Sequence, residues 1–366
     1  MAHPEAPVQV LKITGLGRSG STILDVVLGN HPKIESVGEV GNLMRNGWIS
    51  HKSLRGIPEK SLRVPLCTCG KRLDVLYVDA PEKACPFWSR VRREWVERVD
   101  PRDDIEGYPK LQNDFELERR WSRYGLDPLP RLLYERREPS ARFRSYARLT
   151  RAFYEAISAA SGKTAVVDCS KVSVRAFALS MMPGIDLYAV HLVRDCRGVV
   201  ASHRKSFEKD LRAAAAGDGG DRPAWWKAAV RRRVLYPESV VRWVAHNLAS
   251  EWVCARLGPG RAMRLRYEDF VADPQTALGR IGSLIGLDLA GVAEAASSGE
   301  PMRAGHNIGG NRTKKSGYVT LRPDAREWRK ALSPAEQRLA WALMGWLMRR
   351  YGYAAAIYSG ANDNRR

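Results

Sequence analysis

The sequence predicts an α/β protein, a P-loop-like three-layer domain with a central parallel sheet of about five strands and a mainly helical insertion. Three observations carry that expectation. Short aliphatic and β-branched runs alternate with helical patterns, the order that right-handed crossovers impose on a parallel sheet. The first run leads straight into a glycine-rich turn, Gly15-Leu-Gly-Arg-Ser-Gly-Ser-Thr22, and then into a helix-like stretch. With 366 residues, 44% of them hydrophobic, and no Pro/Gly/Ser-rich linker between halves, the chain can bury one large core.

The first strand is read at residues 8–14 from Val8, Val10, Leu11 and Ile13, and the helix after the turn from Ile23, Leu24, Val26, Val27 and Leu28. Further strands are expected at 34–37, 163–168, 186–193 and 261–267. Residues 45–140 are rich in Trp, Arg and Pro without strand alternation and read as an insertion placed to cover a substrate site. Residues 213–222, Ala- and Gly-rich, read as a mobile loop able to act as a lid. After the last strand, Asp273 is an N-cap and Pro274 a first helical residue, with Leu278, Ile281, Leu284 and Ile285 on one face. A capping box, Ser333-Pro-Ala-Glu336, opens a C-terminal helix expected to bury Leu339, Leu343, Trp346 and Leu347.

A strand, a tight turn and a helix N-terminus together make an anion cradle, because backbone N–H groups and the positive end of the helix dipole converge there. The spacing from Gly15 to Gly20 matches a phosphate-binding loop, but Ser21 stands where a nucleotide kinase places its lysine, and the cation has moved to Arg18. A second cradle follows the apolar run 187–193, in Arg194-Asp-Cys-Arg-Gly-Val-Val-Ala-Ser202. A guanidinium grips phosphate through two charge-assisted hydrogen bonds, and a hydroxyl eight residues on fills a remaining lone pair.

Arg18-Ser-Gly-Ser-Thr22 resembles the 5′-phosphosulfate loop of sulfotransferases that use 3′-phosphoadenosine-5′-phosphosulfate (PAPS), and Arg194 with Ser202 resembles their 3′-phosphate site. The resemblance covers residues 8–40, 163–206 and 261–330. It implies a single sulfotransferase domain over 1–366, of bacterial type; the 45–140 insertion lies outside the resemblance and is expected over the acceptor site on its composition alone. A sulfuryl group would pass from PAPS to a hydroxyl or amine of a carbohydrate, lipid or small metabolite, releasing 3′,5′-bisphosphoadenosine (PAP), without a catalytic metal. It also implies donor contacts from Gly17, Arg18, Ser19, Gly20, Ser21, Thr22, Arg194 and Ser202. In tyrosylprotein and some carbohydrate sulfotransferases a Gly-Glu after a His-Pro supplies the general base. In His31-Pro-Lys-Ile-Glu-Ser-Val-Gly-Glu39 that place falls to Glu39, with Glu35 and His31 as the other candidate bases. Lys171, in Asp168-Cys-Ser-Lys171, falls where the family has a transition-state lysine. Tyr267, in Arg266-Tyr-Glu-Asp-Phe270, falls where a tyrosine approaches the adenine. The basic segment 305–315, with His306, Asn311 and Arg312, resembles a loop that closes near the phosphates ahead of a tryptophan, here Trp328.

Sulfuryl transfer asks for one base and cations that stabilise developing charge, much as phosphoryl transfer does. A kinase-like phosphotransferase would need the missing lysine and a magnesium-binding carboxylate, for which Asp168 is the candidate. A non-catalytic nucleotide-bisphosphate-binding protein would keep the cradles alone.

With 60 Lys+Arg against 40 Asp+Glu the net charge is +20, enough to steer an anionic donor and to favour an anionic acceptor or a lipid headgroup surface. No nucleic-acid reading module is present, and nucleic acid is not expected as a partner. No run of about 18 apolar residues appears and the first residues lack the pattern of a leader, so a cytoplasmic location is expected. Six cysteines are too sparse for a disulfide scaffold. Cys67-Thr-Cys69 and Cys85 leave three readings open: zinc with a fourth ligand such as His51, a disulfide, or reduced packing cysteines.

Overall fold

Residues Val8–Thr14 (β1), Ile34–Gly38 (β2), Ala165–Asp168 (β3), Ile185–Val193 (β4) and Ala262–Arg266 (β5) form one parallel sheet in the order β2-β3-β1-β4-β5. The structure is a computed structural model that describes residues 6–43, 48, 67–73, 81–116, 129–171, 173–215, 225–309, 316–322 and 326–356. Both faces of the sheet are covered, which is why its strands read as near-continuous apolar runs. In β1 the pleat sends Val8 and Val10 to one core and Leu11 and Ile13 to the other.

The chain alternates strand and helix as the sequence predicts. α1 (Ser21–Gly29) follows β1. The insertion is mainly helical in its described parts, with α2 (Pro86–Arg98), α3 (Tyr108–Glu116) and α4 (Leu129–Arg137). Next come α5 (Ala141–Ser161), which Ser140 caps by accepting from the Phe143 amide, and α6 (Ser173–Leu179). α2 to α6 share one core with Val10, Val166 and Leu187 of the sheet, in which Trp48, Trp88, Trp95 and Tyr108 pack ring against ring. Trp48, Trp88 and Trp95, among the tryptophans that mark residues 45–140 as an insertion, are thus part of its attachment to the sheet.

α7 (Cys196–Ala215) and α8 (Trp225–Leu257) follow β4, and α9 (Tyr267–Ala272) follows β5. α10 (Pro274–Ile285) and α11 (Ala290–Ser297) share with α1 the core on the other face of the sheet. Asp273 caps α10 through the Thr276 amide at 3.0 Å, and Leu278, Ile281 and Ile285 are buried as expected. A two-stranded ribbon, β6 (Met302–Arg303) and β7 (Tyr318–Val319), precedes α12 (Trp328–Ala331) and α13 (Pro334–Arg350).

The capping box at Ser333 and Glu336 forms in both directions. The buried face of α13 differs from expectation: Leu347 is buried, but Leu339, Leu343 and Trp346 are 48%, 46% and 51% exposed. Ala340, Gly345 and Gln337 face inward instead, since small side chains allow close approach and the Gln337 amide is satisfied by the Leu332 carbonyl at 2.9 Å. Residues 213–215 end α7, while the rest of the 213–222 segment lies outside the described residues. No helix among the described residues is long and apolar enough to cross a membrane.

Candidate active site

The turn after β1 is shaped by two glycines at positive φ. At Gly15, φ +129°, a Cβ would lie 2.5 Å from the Leu192 carbonyl oxygen; at Gly20, φ +91°, it would lie 2.2 Å from the Tyr267 ring. Between them Arg18 is the one non-glycine residue at positive φ among the described residues (φ 73°), a conformation costing about 1–3 kcal/mol and held by the surrounding turn. Its Nη2 donates to Ser206 Oγ at 2.6 Å. Gly20 caps α1 without a side-chain hydrogen bond, so the first amides of the helix remain directed along its axis into the site.

Every strand of the sheet delivers one side chain, at or just beyond its C-terminal end, to a single cavity of about 260 Å³. They are Arg18 after β1, Glu39 after β2, Lys171 after β3, Arg194 after β4 and Tyr267 after β5; Gly17, Gly20, Ser21, Thr22, Ile23 and Ser202 complete the wall. An open α/β sheet places its ligand crevice at this edge. Ser19 is buried off the wall, with its amide bonded to the Leu16 carbonyl. Arg18, Arg194 and Ser202 also line an adjoining cavity of about 840 Å³, with Arg204, Lys205 and Lys209 of α7 and Trp328 and Lys330 of α12. Sequence reasoning missed this basic face of α7. Its signal was present, because Ser202, Lys205, Ser206 and Lys209 recur at helical spacing.

Lys171 links Glu39 to the turn after β1. Its Nζ lies 3.2 Å from Glu39 Oε1 and donates to Ser21 Oγ at 2.5 Å and to the Cys169 carbonyl at 3.2 Å. Burial works against its charge, but Cys169 and Glu39 outweigh it and hold the ammonium above the usual lysine range. On the other side, Arg194 donates through Nη1 to the Arg18 carbonyl at 3.1 Å, and its guanidinium sits 4.6 Å from the centre of the Tyr267 ring. Arg194 Nε is buried without a hydrogen-bond partner among the described residues. Asp195, the neighbouring carboxylate, is engaged by Arg197 at 3.0 and 2.7 Å, and that guanidinium covers Trp328 at 4.0 Å.

A buried charge network fixes the end of β3 beneath Lys171. Lys12 Nζ lies 3.6 Å from Asp168 Oδ1 and donates to the Ser170 carbonyl; Asp168 accepts from Arg175 Nε and Tyr154 OH, each at 2.8 Å. Arg175 in turn pairs with Glu116 of α3. Burial opposes the charge on Asp168, yet Lys12 and Arg175 hold it well below the usual carboxylate range. Asp168 is fully buried and fully partnered, so it is no magnesium ligand, and the kinase-like reading loses its second requirement along with its lysine.

The other candidate bases lie elsewhere. Glu35 pairs with Lys163 at 3.1 Å, and His31 is half-buried, its Nε2 3.0 Å from the Asp288 carbonyl oxygen; neither lines either cavity. His306 is also apart from both cavities, with its Nδ1 3.3 Å from Cys85 Sγ. Asn311, Arg312 and His51 lie outside the described residues. No described residue of the insertion lines either cavity.

A family model described as the sulfotransferase family matches residues 140–291, the segment holding Lys171, Arg194, Ser202 and Tyr267. No curated protein sequence matches the chain. Among solved structures, the sulfotransferase domain from the Synechococcus PCC 7002 olefin synthase is 17% identical with a TM-score of 0.48, over 96% of this chain and 98% of that one. A sulfotransferase from Mycobacterium avium is 13% identical with a TM-score of 0.43, over 98% of this chain and 81% of that one.

Proposed function

Taking as premise that the chain, by its residues 140–291, is a sulfotransferase-family protein, we propose that it transfers a sulfuryl group from PAPS to a hydroxyl or amine of a carbohydrate, lipid or small metabolite in the cytoplasm. The observation that carries this reading is the convergence of Arg18, Glu39, Lys171, Arg194 and Tyr267, one from each strand, on one cavity. In this reading the α1 N-terminus and Arg18 hold the phosphosulfate, Arg194 and Ser202 hold the 3′-phosphate, and Tyr267 borders the adenosine. The basic adjoining cavity offers cations for further negative charge.

The acceptor oxygen attacks sulfur in line and gives its proton to Glu39. As the new S–O bond forms, the bond from sulfur to the 5′-phosphate oxygen breaks, and PAP leaves with that electron pair. Lys171 touches both Glu39 and Ser21, so it stands between the base and the phosphosulfate loop, where an ammonium stabilises charge on the departing oxygen. Little covalent work falls to the protein; positioning and electrostatics dominate.

Calorimetry with PAP and AMP tests the assignment. A bidentate, charge-assisted grip of about 1.5–3 kcal/mol predicts that PAP binds roughly 10- to 100-fold more tightly. Arg194→Ala should erase the preference. Equal affinity of the unaltered protein for the two nucleotides would overturn the reading.

A further inference from the structure

We propose that Cys67, Cys69, Cys85 and His306 bind one zinc ion in a closed structural site that pins the insertion to the segment supporting Glu39. The four ligand atoms lie within 4.8 Å of one another. His306 Nδ1 is 3.3 Å from Cys85 Sγ and 3.7 Å from Cys67 Sγ. Zn–S bonds of about 2.3 Å and Zn–N bonds of about 2.0 Å in a tetrahedron set each sulfur–nitrogen edge at about 3.5 Å, which these two separations bracket. All three cysteines are free thiols, not a disulfide pair and a bystander.

A second observation points the same way. Cys85 is the N-cap residue of α2, where the helix dipole favours negative charge. The histidine is held before any ion arrives: its ring stacks on Phe87 at 5.2 Å and 13°, and its carbonyl accepts from Trp88 Nε1 at 2.8 Å. Three thiolates and one imidazole suit zinc, and four protein ligands leave no position open for a reacting water.

The site joins parts of the chain far apart in sequence. Thr68 and Asn307 exchange hydrogen bonds beside it, at 3.1 and 2.9 Å, and two residues beyond the histidine the Ile308 carbonyl accepts from the Glu39 amide at 2.9 Å. The ion would lock this seam from the insertion to the base.

Elemental analysis of protein reconstituted with zinc and desalted tests the proposal through metal content, independently of any transferase activity. One zinc per chain is expected, as is the intense visible absorption of a tetrahedral thiolate site when cobalt(II) replaces it. Cys69 is exposed, so Cys69→Ser should keep the far-ultraviolet dichroism of the parent yet lose zinc affinity by at least about tenfold. Chelation should lower the thermal midpoint of the parent and leave that of Cys69→Ser unchanged. Protein that holds no zinc after reconstitution, an octahedral cobalt spectrum, or wild-type affinity in Cys69→Ser would each overturn it.

Discussion

Glu39 sits where three supports meet, since Lys171 holds its carboxylate at 3.2 Å, the Ile308 carbonyl holds its amide, and β2 ends one residue earlier. A carboxylate fixed in this way either removes a proton or merely orients the lysine, and one substitution separates the two roles. Glu39→Gln preserves shape and a hydrogen bond to Lys171 but cannot accept the proton. Single-turnover transfer of labelled sulfate should therefore slow by roughly 10²- to 10⁴-fold while PAP affinity stays unchanged. A variant with parental rate, or one whose deficit lies wholly in PAP binding, would remove Glu39 from the chemistry. Residues of this kind were legible in the sequence because each lies within a few positions of a strand end and inside a local pattern. Arg18, Lys171 and Arg194 needed only that. The side chains that answer them, such as Ser206 on Arg18, come from positions that no short motif joins.

At the scale of elements, β3 is only four residues long, and its C-terminal end is fixed by charges from three other elements. Lys12 of β1, Arg175 of α6 and Glu116 of α3 converge on or next to Asp168, all almost fully buried. Removing one partner from such a set strands an uncompensated charge, at about 3–5 kcal/mol. Glu116→Leu should thus lower the denaturation midpoint by the equivalent of about 3 kcal/mol or more, although α3 lies in the insertion and outside both cavities. A loss below about 1 kcal/mol in urea unfolding would show that Arg175 finds another partner. The five strands were readable to within two residues because alternation is local. This network was not, because Lys12 looks like a polar break in an apolar strand and Glu116 belongs to no pattern. α13 makes the same point in miniature: its start is written in Ser333 and Glu336, but which apolar stripe turns inward is decided by Ala340 and Gly345, through packing that periodicity does not weigh. His306 is the fourth member of the thiol cluster for a similar reason, since 239 positions separate it from Cys67 and only the fold closes that distance.

For the molecule as a whole, the +20 net charge gathers partly around the cavities that β1 and β4 open together, while the centre of the sheet holds a neutral histidine. His191 of β4 is buried, with Nε2 2.9 Å from Asn247 Oδ1 of α8. Burial lowers its pKa from 6.5 to about 4, with the Asn247 hydrogen bond opposing the shift. The unfolded chain therefore takes up this proton more readily than the folded one. The stability this group contributes is fully present above about pH 6.5 and drains away as the pH falls toward 4, by up to about 3 kcal/mol. Glu35 and Glu116 tilt the curve the other way, because burial holds them above the usual range and the folded state gains as they protonate. Asp168 keeps its contribution throughout this window, losing it only at lower pH. The histidine is thus isolated by difference: His191→Gln keeps a side-chain amide toward Asn247 but cannot take up the proton. Urea unfolding at intervals from pH 7 to 4 should show the parent losing about 3 kcal/mol relative to the variant across that range. Parallel curves for the two proteins would mean that His191 becomes protonated in place, with the sheet opening around it rather than excluding the charge.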